Sequence, residues 1–375
     1  MTPCVVFAGG GSGGHLSPGL AIAERLQSLN PEVRCRFYCS NREIDRTMLL
    51  GAGADFQPVP AAPFSLRPGG LIRFMRGLNR GTRCAVQSLR SDQVSLVLAL
   101  GGFVSAPVVR AARKAKVSSI LLNLDAVPGH ANKWVARHCD EVLSAIPLQP
   151  GISLANLSGT TNFPIRRIAR APGDAASCRE RLGLVSNRPT LLVTGASQGA
   201  STLNGFMRQF VLSATDSFEG WQVLHLSGGQ EKETLERAYA SAGIQATVID
   251  FLEHMGLAWG AADLAISRAG ANSVAEVAAN RVPAIFVPYP WHKDLHQRFN
   301  AQELVDGGAA CLVEDAIDPM ANMASLGVLL QRLLLDGSAR HEMSLKLEKA
   351  AKNDGASEIA ALIYARVLGG DRSVS

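Results

Sequence analysis

The sequence contains no apolar run of the roughly 18 to 20 residues that a membrane-spanning helix needs, so a chain that crosses the bilayer is not expected. Its start lacks the basic residues, long apolar stretch and small-residue cleavage site of a secretory signal, and we expect no such signal there. Aromatic residues make up only 6%, and no nucleic-acid recognition motif is present. We therefore expect no nucleic-acid partner.

Paired cysteines and clustered metal ligands are also missing. Seven cysteines are scattered along the chain, and although Cys35 and Cys39 stand four apart, no second pair or histidine cluster completes a metal site. The run "HKDLHQ" has neither a partner cysteine nor the H-E-x-x-H spacing. These absences predict reduced, packed thiols, no metal and no cofactor.

The chain is long, and strand-like and helix-like patterns alternate along it. Its 375 residues, 47% hydrophobic and 18% charged, suit two globular domains of common size. Short apolar runs alternate with helical patterns, and most of these runs are continuous, as in parallel strands covered on both faces. The order predicts an α/β fold of doubly wound parallel sheets. The predicted strands are Cys4–Ala8, Val94–Leu100, Ser119–Asn123, Glu141–Ile146, Thr190–Thr194, Gln222–Leu226, Thr247–Phe251, Leu264–Ser267, Ala284–Pro288 and Ala310–Val313.

A weak similarity between two segments of the chain supports two Rossmann-like domains. The stretches "VVFAGGGSGGHLSPGLAIA" and "LLVTGASQGASTLNGF" each pass from an apolar strand through a glycine-containing turn into a helix. Prolines and a charge-rich helix lie between them, which predicts a hinge near Asn162–Arg170. We therefore expect domains at residues 1–163 and 164–375, and it stays open whether the last helix packs back on the N-terminal domain.

The first glycine loop is a candidate anion site. Its glycines let the backbone approach a phosphate, Ser12 adds a hydroxyl donor, and the helix that follows, near Pro18, presents unpaired N–H groups. Gly9, Gly11 and Gly14 fit the dinucleotide fingerprint, but no acidic residue clearly closes a second strand about 20 residues later, since Glu43 comes late. A tight turn that serves only packing is the alternative.

His15 sits where this loop becomes the helix. The helix dipole at an N-terminus disfavours the protonated imidazole, so a neutral, basic side chain is expected there. Such a group suits a general base that faces a cleft between the domains. The alternative is a structural histidine bonded to neighbouring backbone.

Two later turns offer further anion sites. The loop "TGASQGAS" supplies Ser197 and backbone amides but lacks the lysine of a triphosphate P-loop, so ATP hydrolysis is not indicated. The turn Gly270–Ser273 opens another helix, and Glu276 one turn later could accept bonds from sugar hydroxyls. A glutamate in that position could equally compensate the helix dipole.

The stretch from Pro63 to Arg90 contains no acidic residue and interleaves arginines with apolar side chains. Such a helix suits an anionic membrane surface, and the alternative is a solvated face that covers the sheet. The arginines are Arg67, Arg73, Arg76, Arg80, Arg83 and Arg90, and the apolar residues are Leu66, Leu71, Ile72, Phe74, Met75 and Leu78.

Eight stretches, in order, resemble the lipid II-forming N-acetylglucosaminyltransferase family of peptidoglycan synthesis, which acts on UDP-N-acetylglucosamine and undecaprenyl-pyrophosphoryl-muramyl-pentapeptide. They run from residue 5 to about residue 315 and cover most of the chain. The motifs are "GGGSGGHLSPGLAIA", "LALGGFVSAPV", "PGHANKW", "NFPIR", "GASQGA", "DFLEHM", "ISRAGANSVAEVA" and "HKDLHQRFNA".

The resemblance implies a GT-B fold of two Rossmann-like domains across a cleft, with the acceptor and the membrane on the N-terminal domain and the UDP-sugar on the C-terminal one. It implies inverting transfer to the muramyl 4-hydroxyl by a peripheral protein on the cytoplasmic face of the cell inner membrane. By position it assigns Ser12, Gly13 and Gly14 to the first loop, His15 to its histidine, Arg166 to an arginine near the donor diphosphate, Ser197 to the serine of the second loop, Leu252 to uracil, Ala271, Asn272 and Ser273 to the next phosphate turn, Glu276 to the ribose and Gln297 to the N-acetylglucosamine.

The departures from the family lie mostly on the acceptor side. Where the family has a His-Glu-Gln-Asn run, this chain has Leu122–Asp125, and Asp125 is a substitute polar candidate in the cleft. The alternatives that stay open are another GT-B UDP-sugar transferase or epimerase, a nicotinamide dehydrogenase, and a non-catalytic nucleotide-sugar-binding homologue.

Overall fold

The computed structural model describes residues 2–11, 13–64, 67–195, 201–229, 231–291, 295–350 and 353–368, without the side chains of Pro68 and Leu368. The chain divides into two compact units. The first runs to Arg166 and resumes at Asn353, and the second comprises Arg167–Lys352. The division therefore falls within the predicted hinge, and the end of the chain returns to the first unit.

The described part of the first unit builds one parallel sheet in the order β3-β2-β1-β4-β5-β6-β7, the doubly wound arrangement of a Rossmann fold. Its central strands are buried along their length, since helices cover both faces. The strands are β1 (Cys4–Ala8), β2 (Arg34–Cys39), β3 (Asp55–Pro58), β4 (Val94–Ala99), β5 (Ser118–Asn123), β6 (Glu141–Ser144) and β7 (Leu157–Thr160).

Most helices of the first unit bury apolar residues against this sheet, whereas part of the apolar side of α3 is exposed. The 24-residue α3 is held mainly by α4, and α1 lies against both the sheet and the last helix, α15. The helices are α1 (Leu16–Leu29), α2 (Glu43–Gly51), α3 (Pro68–Ser91), α4 (Ser105–Ala115), α5 (His130–Ala136) and α15 (Gly355–Leu368). In the part of the chain that is described, no helix is both long and apolar enough to cross a membrane.

The last helix completes the core of the first unit. Ala356, Ile359, Ala360 and Ile363 are at most 1% exposed and pack with α1 and the sheet. Glu358 accepts hydrogen bonds from the Thr161 hydroxyl (3.0 Å) and the Asn162 amide (3.2 Å), which fixes the return of the chain.

The described part of the second unit repeats the arrangement with the strand order β10-β9-β8-β11-β12-β13, again all parallel. The strands are β8 (Thr190–Thr194), β9 (Gln222–Leu226), β10 (Ala246–Ile249), β11 (Leu264–Ser267), β12 (Ala284–Phe286) and β13 (Cys311–Leu312). The helices are α6 (Ala175–Arg181), α7 (Ser201–Ser213), α8 (Lys232–Ser241), α9 (Met255–Ala261), α10 (Ala271–Asn280), α11 (His296–Asp306), α12 (Pro319–Asn322), α13 (Val328–Leu335) and α14 (Gly337–Ala350).

One buried histidine ties strand β9 to two helices. His225 is fully buried, with Nδ1 2.8 Å from the Tyr239 hydroxyl on α8 and Nε2 3.0 Å from Asn204 Oδ1 on α7. Burial lowers the pKa of His225 to about 3, because the charged imidazolium would lose its hydration. The side chain is therefore neutral in the folded protein at physiological pH.

Each of the ten predicted strands is present, and no strand end differs from its predicted position by more than two residues. Strands β2, β3 and β7 were not among them. Two of these, β3 and β7, are four-residue edge strands with mostly exposed or half-exposed side chains, so they lack the continuous apolar run of a central strand. Strand β2 begins with Arg34 and is buried only in its second half.

Candidate functional site

The switch point of the first sheet brings together the two glycine motifs of the N-terminal half. Strand β1 pairs with β4, and the sheet order reverses between them. The loop after β1 runs from Gly9 to His15, and the loop after β4 contains Gly101–Phe103. Because open α/β sheets bind ligands outside the carboxyl ends of the strands at such a point, this is the candidate site of the first unit.

His15 is held against the backbone of the second loop. It is half-buried at the N-cap of α1, which begins two residues earlier than predicted. A Cβ atom at Gly101 would lie 3.1 Å from His15 Cδ2, and one at Gly102 would lie 2.6 Å from the Gly10 carbonyl oxygen. Both glycines have positive φ, +99° and +77°. Only glycine therefore allows the two loops to meet around the imidazole.

A buried carboxylate that the sequence analysis missed shapes the first glycine loop. Asp45 is 0% exposed and accepts the Gly11 amide (2.8 Å), the Ser40 hydroxyl (2.6 Å) and the Ser40 amide (3.2 Å). The Gly11 N–H is thus satisfied within the protein. An anion at this loop would have to use the amides that follow, in the segment with Gly13 and Gly14, while Ser12 lies outside the described residues.

Arg42 clamps the same loop from outside. Its guanidinium donates to the Gly11 carbonyl and lies 5.5 Å from the centre of the Phe103 ring. Phe103 in turn covers Gly11, where a Cβ would come within 2.7 Å of the ring. Arg42 and Asp45 follow β2, the neighbour of β1, so the sheet order itself explains why they reach this loop.

Amide side chains line the end of β5. Asn123 Nδ2 donates to the Asp125 carbonyl (2.8 Å) and to the Ser144 hydroxyl (3.0 Å), and Asn132 donates to Asn123 Oδ1 (3.2 Å). A Cβ at Gly101 would lie 2.7 Å from Asn132 Oδ1, so this network borders the loop that holds His15. Asp125 is half-buried and is positioned through its backbone.

Arg166 lies in the first unit, at its last residue before the division. Its Nε donates to Glu24 on α1 at 3.1 Å, and the side chain is 14% exposed. The predicted contact with a donor diphosphate stays a prediction, and it would have to use another nitrogen of the guanidinium or replace this ion pair.

The switch point of the second sheet lies between β8 and β11. The loop after β8 carries Ser197, which falls outside the described residues. After β11, Gly270 is the N-cap of α10 and has no side-chain cap. Ala271 and Asn272 are half-exposed and Ser273 is 8% exposed at this helix start, where N–H groups and the helix dipole favour an anion.

Glu276 is oriented by an indole. The Trp259 Nε1–H on α9 donates to Glu276 Oε2 at 2.8 Å, and Trp259 itself is 1% exposed. Glu276 lies one turn into α10 and is half-buried. The bond fixes the carboxylate on the helix whose N-terminus is the candidate phosphate turn. No role for Trp259 was predicted from the sequence.

A buried ion pair supports the same turn. Arg268, directly after β11, is 2% exposed and binds Asp315 at 2.8 Å and the Val287 carbonyl at 3.0 Å. Burial lowers the pKa of Arg268 while Asp315 opposes this shift. Burial alone would raise the pKa of Asp315, but hydrogen bonds from Thr202, Asn322 and Arg268 bring it below its usual value. The pair is therefore charged and joins β11, α7 and the segment after β13.

Two further predicted residues lie in the second unit. Leu252, in the loop between β10 and α9, is half-buried and follows Phe251, which is 78% exposed. Gln297, the second residue of α11, is 8% exposed, and its Oε1 accepts the Tyr289 amide at 2.9 Å. This bond orients the Gln297 amide. The described residues hold no group of three or more potential metal ligands, and His292 and Asp294 lie outside them.

Two family models match the chain, one in each half. Residues 5–144 match the glycosyltransferase family 28 N-terminal domain, and residues 190–359 match the glycosyltransferase family 28 C-terminal domain. The structure resembles the crystal structure of Acinetobacter baumannii MurG with a TM-score of 0.71 and 25% identity, over 96% of this chain and 99% of that one. The predicted fold class, two Rossmann-like parallel-sheet domains of the GT-B type, is confirmed.

Two curated relatives carry the same name, UDP-N-acetylglucosamine–N-acetylmuramyl-(pentapeptide) pyrophosphoryl-undecaprenol N-acetylglucosamine transferase. The protein from Nocardioides sp. is 36% identical over 83% of this chain and 85% of its own length. The protein from Leifsonia xyli subsp. xyli is 32% identical over 96% of this chain and 97% of its own length. The chain therefore belongs to this family of N-acetylglucosamine transferases, as its motifs predicted.

Proposed function

We propose that this protein transfers N-acetylglucosamine from UDP-N-acetylglucosamine to the muramyl 4-hydroxyl of undecaprenyl-pyrophosphoryl-N-acetylmuramyl-pentapeptide, the step from lipid I to lipid II in peptidoglycan synthesis. The observation that carries the proposal is the sequence identity of 36% and 32%, over most of the chain, with two relatives of that name. The reaction is a single inverting displacement, which gives a β-1,4 bond.

The second unit binds the donor in this proposal. The start of α10, with Ala271–Ser273, and the loop that carries Ser197 supply N–H groups for the diphosphate of the leaving UDP. Glu276, oriented by Trp259, accepts the ribose hydroxyls. The Leu252 backbone recognises uracil, and Gln297 contacts the sugar. Helix N-termini can stabilise a leaving diphosphate without an obligatory metal or cofactor. Arg166, the last residue of the first unit before the division, is kept as a further candidate for this diphosphate.

The first unit binds the acceptor. His15 is the base that accepts the proton of the attacking hydroxyl, because its half-buried imidazole lies at the switch point between β1 and β4, whereas the Asp45 carboxylate on the same loop is buried and bonded to Gly11 and Ser40. Gly13 and Gly14, together with Ser12, face the acceptor's pyrophosphate. Asp125 and the amides around it provide polar contacts for the muramyl sugar or its peptide.

Helix α3 contacts the membrane that holds the lipid-linked acceptor. Leu71, Ile72 and Met75 are 40%, 53% and 46% exposed beside exposed arginines, whereas Leu78 is buried in the protein. Basic residues next to apolar ones suit an anionic bilayer surface. Because a nucleotide sugar is a cytoplasmic metabolite, we place the protein peripherally on the cytoplasmic face of the cell inner membrane.

A direct assay tests the proposal. Purified protein is given radiolabelled UDP-N-acetylglucosamine and a lipid I analogue, and the label is followed into the lipid product. We expect transfer that requires both substrates. In parallel, UDP should raise the unfolding temperature and NAD should not. Protection by NAD alone would favour a dehydrogenase. UDP binding without transfer would favour a non-catalytic homologue, and conversion of the donor without acceptor would favour an epimerase.

A further inference from the structure

Two aromatic side chains lie close together in the segment after strand β12. The rings of Tyr289 and Trp291 have centroids 5.0 Å apart and planes inclined by 58°. Tyr289 is half-buried, whereas Trp291 is 52% exposed and is the most exposed of the four tryptophans. An indole exposed to this extent leaves an apolar surface available to a ligand.

Buried contacts fix the backbone that carries this pair. Arg268 donates to the Val287 carbonyl at 3.0 Å and to the Pro288 carbonyl at 3.3 Å. Its guanidinium also lies 5.7 Å from the centre of the Tyr289 ring, and the Tyr289 amide donates to Gln297 Oε1 at 2.9 Å. Because Arg268 and Gln297 are only 2% and 8% exposed, these bonds are largely shielded from water. The aromatic pair is therefore presented on a fixed backbone.

The same segment lies beside the candidate phosphate turn at the start of α10. Strands β11 and β12 pair in parallel, with Ser267 opposite Phe286, so the loops that follow them leave the carboxyl edge of the sheet side by side. Neighbouring strands are about 4.8 Å apart. Arg268, which holds the segment after β12, stands two residues before Gly270, the N-cap of α10. A sugar joined to a diphosphate at this turn would therefore lie within reach of the aromatic pair.

We propose that the Trp291 indole, supported by Tyr289, packs against the C–H face of the donor's N-acetylglucosamine ring. The inference deepens the proposed function and rests on it, because a diphosphate at the start of α10 is what brings the sugar to this segment. A pyranose ring carries apolar C–H groups as well as hydroxyls, and ligand sites combine aromatic side chains with a few oriented polar groups. Gln297, whose amide oxygen accepts the Tyr289 N–H, is such a polar group. Trp291 thus contributes to the binding of the sugar and not to that of UDP.

Two substitutions of Trp291 test the proposal through the binding of UDP-N-acetylglucosamine and of UDP. Trp291→Ala removes the ring, and Trp291→Phe keeps an aromatic face in its place. Leu335→Ala is the control, since Leu335 is exposed at the end of α13 and is not among the candidate site residues. All variants are full-length, and equal unfolding temperatures establish that they fold. Isothermal titration calorimetry without acceptor gives the Kd of each ligand.

We expect Trp291→Ala to raise the Kd for UDP-N-acetylglucosamine by about three- to ten-fold, the usual contribution of one aromatic contact, and the Kd for UDP by less than about two-fold. Trp291→Phe should raise the first Kd by less than about three-fold, because the phenyl ring keeps part of the apolar surface. Tryptophan fluorescence gives a second readout. UDP-N-acetylglucosamine should shift the emission to shorter wavelength as it covers the exposed indole, and UDP should not. Trp291→Phe should abolish this shift, whereas Trp134→Phe, in the first unit, should retain it.

An equal rise in the Kd for both ligands in folded Trp291→Ala would overturn the proposal, because the ring would then act on the nucleotide or on the turn that holds it. Unchanged Kd values for both ligands would also overturn it, and a raised KM for the lipid I analogue would then assign the indole to the acceptor. Failure of the unchanged protein to bind UDP-N-acetylglucosamine would defeat the proposed function and this inference with it. Binding without transfer would defeat only the proposed transfer, and the two Kd values would still decide on Trp291.

Discussion

Asp45 and His15 act on the same glycine loop but in different ways. Asp45 is buried and holds the Gly11 amide and Ser40, whereas His15 is half-buried at the start of α1 and borders Gly101. The first can only fix the backbone, while the second can exchange a proton with a ligand. Substitutions at the two positions should therefore produce different kinetic signatures.

Replacing His15 by alanine should lower kcat of the proposed transfer by about 10²- to 10⁴-fold, the usual contribution of a positioned general base. The KM for UDP-N-acetylglucosamine should change little, since the donor is assigned to the second unit. Steady-state kinetics with both substrates checks this, with His341→Ala on the exposed face of α14 as control. Turnover retained in His15→Ala would remove the histidine from the chemistry.

Replacing Asp45 by alanine leaves the buried Gly11 amide and Ser40 hydroxyl without their acceptor. We expect a loss of about 1–3 kcal/mol in the free energy of unfolding. The variant should also have a lower kcat/KM, even at temperatures where it is fully folded, because the geometry of the glycine loop changes. Denaturant unfolding and kinetics measure the two effects, and Glu43→Gln, exposed on the same helix, should alter neither. Normal activity in a folded Asp45→Ala protein would contradict a positioning role.

At the scale of elements, the second unit depends on a buried ion pair where β11 meets the turn before α10. Arg268 and Asp315 have side chains that are 3% and 0% exposed, so either charge is costly without the other. Their partners come from α7 and from the segments after β12 and β13. The pair thus holds together the strand ends around the candidate phosphate turn at the start of α10.

We expect Arg268→Met to cost about 3–5 kcal/mol in the free energy of unfolding, because it leaves the Asp315 carboxylate buried and uncompensated. The double variant Arg268→Met with Asp315→Leu should be less destabilised than the single one. Urea unfolding of the unchanged protein, of Arg268→Met, of Asp315→Leu and of the double variant gives the coupling energy between the two residues. Strict additivity of the two single effects would show that the ion pair contributes nothing.

The elements also show what the sequence could and could not predict. Continuous apolar runs located the central strands, and glycines between a strand and a helix located both switch points. Edge strands such as Leu157–Thr160 have no such run and were missed. Asp45 and Trp259 were missed because their roles depend on which strand or helix lies next to theirs, and local spacing does not report that. The one signal in the sequence for Asp45 is its position shortly after strand β2, which pairs with β1.

For the molecule as a whole, stability should fall with acid before the carboxylates titrate. The pKa of His225 is about 3 in the folded protein and 6.5 in an ordinary histidine, so between these values the unfolded chain binds a proton that the folded chain does not. Lowering the pH from 6.5 to 5 therefore removes about 2 kcal/mol from the free energy of unfolding through this group.

Urea unfolding at the two pH values tests this expectation. In His225→Gln, whose amide can still bond Tyr239 and Asn204 without titrating, the acid-induced loss should be smaller by about that amount. His341→Gln, at an exposed position, should retain the full loss. An identical pH dependence in all three proteins would show that His225 is not the group responsible.

The return of α15 to the first unit has a consequence for synthesis on the ribosome. The second unit is continuous in the chain and has all its strands once residue 312 has emerged. The first unit begins earlier but lacks Ile359 and Ile363 until the whole second unit has been made. The unit that is begun first is thus completed second, and the face of α1 that packs on α15 stays uncovered while the second unit is synthesised.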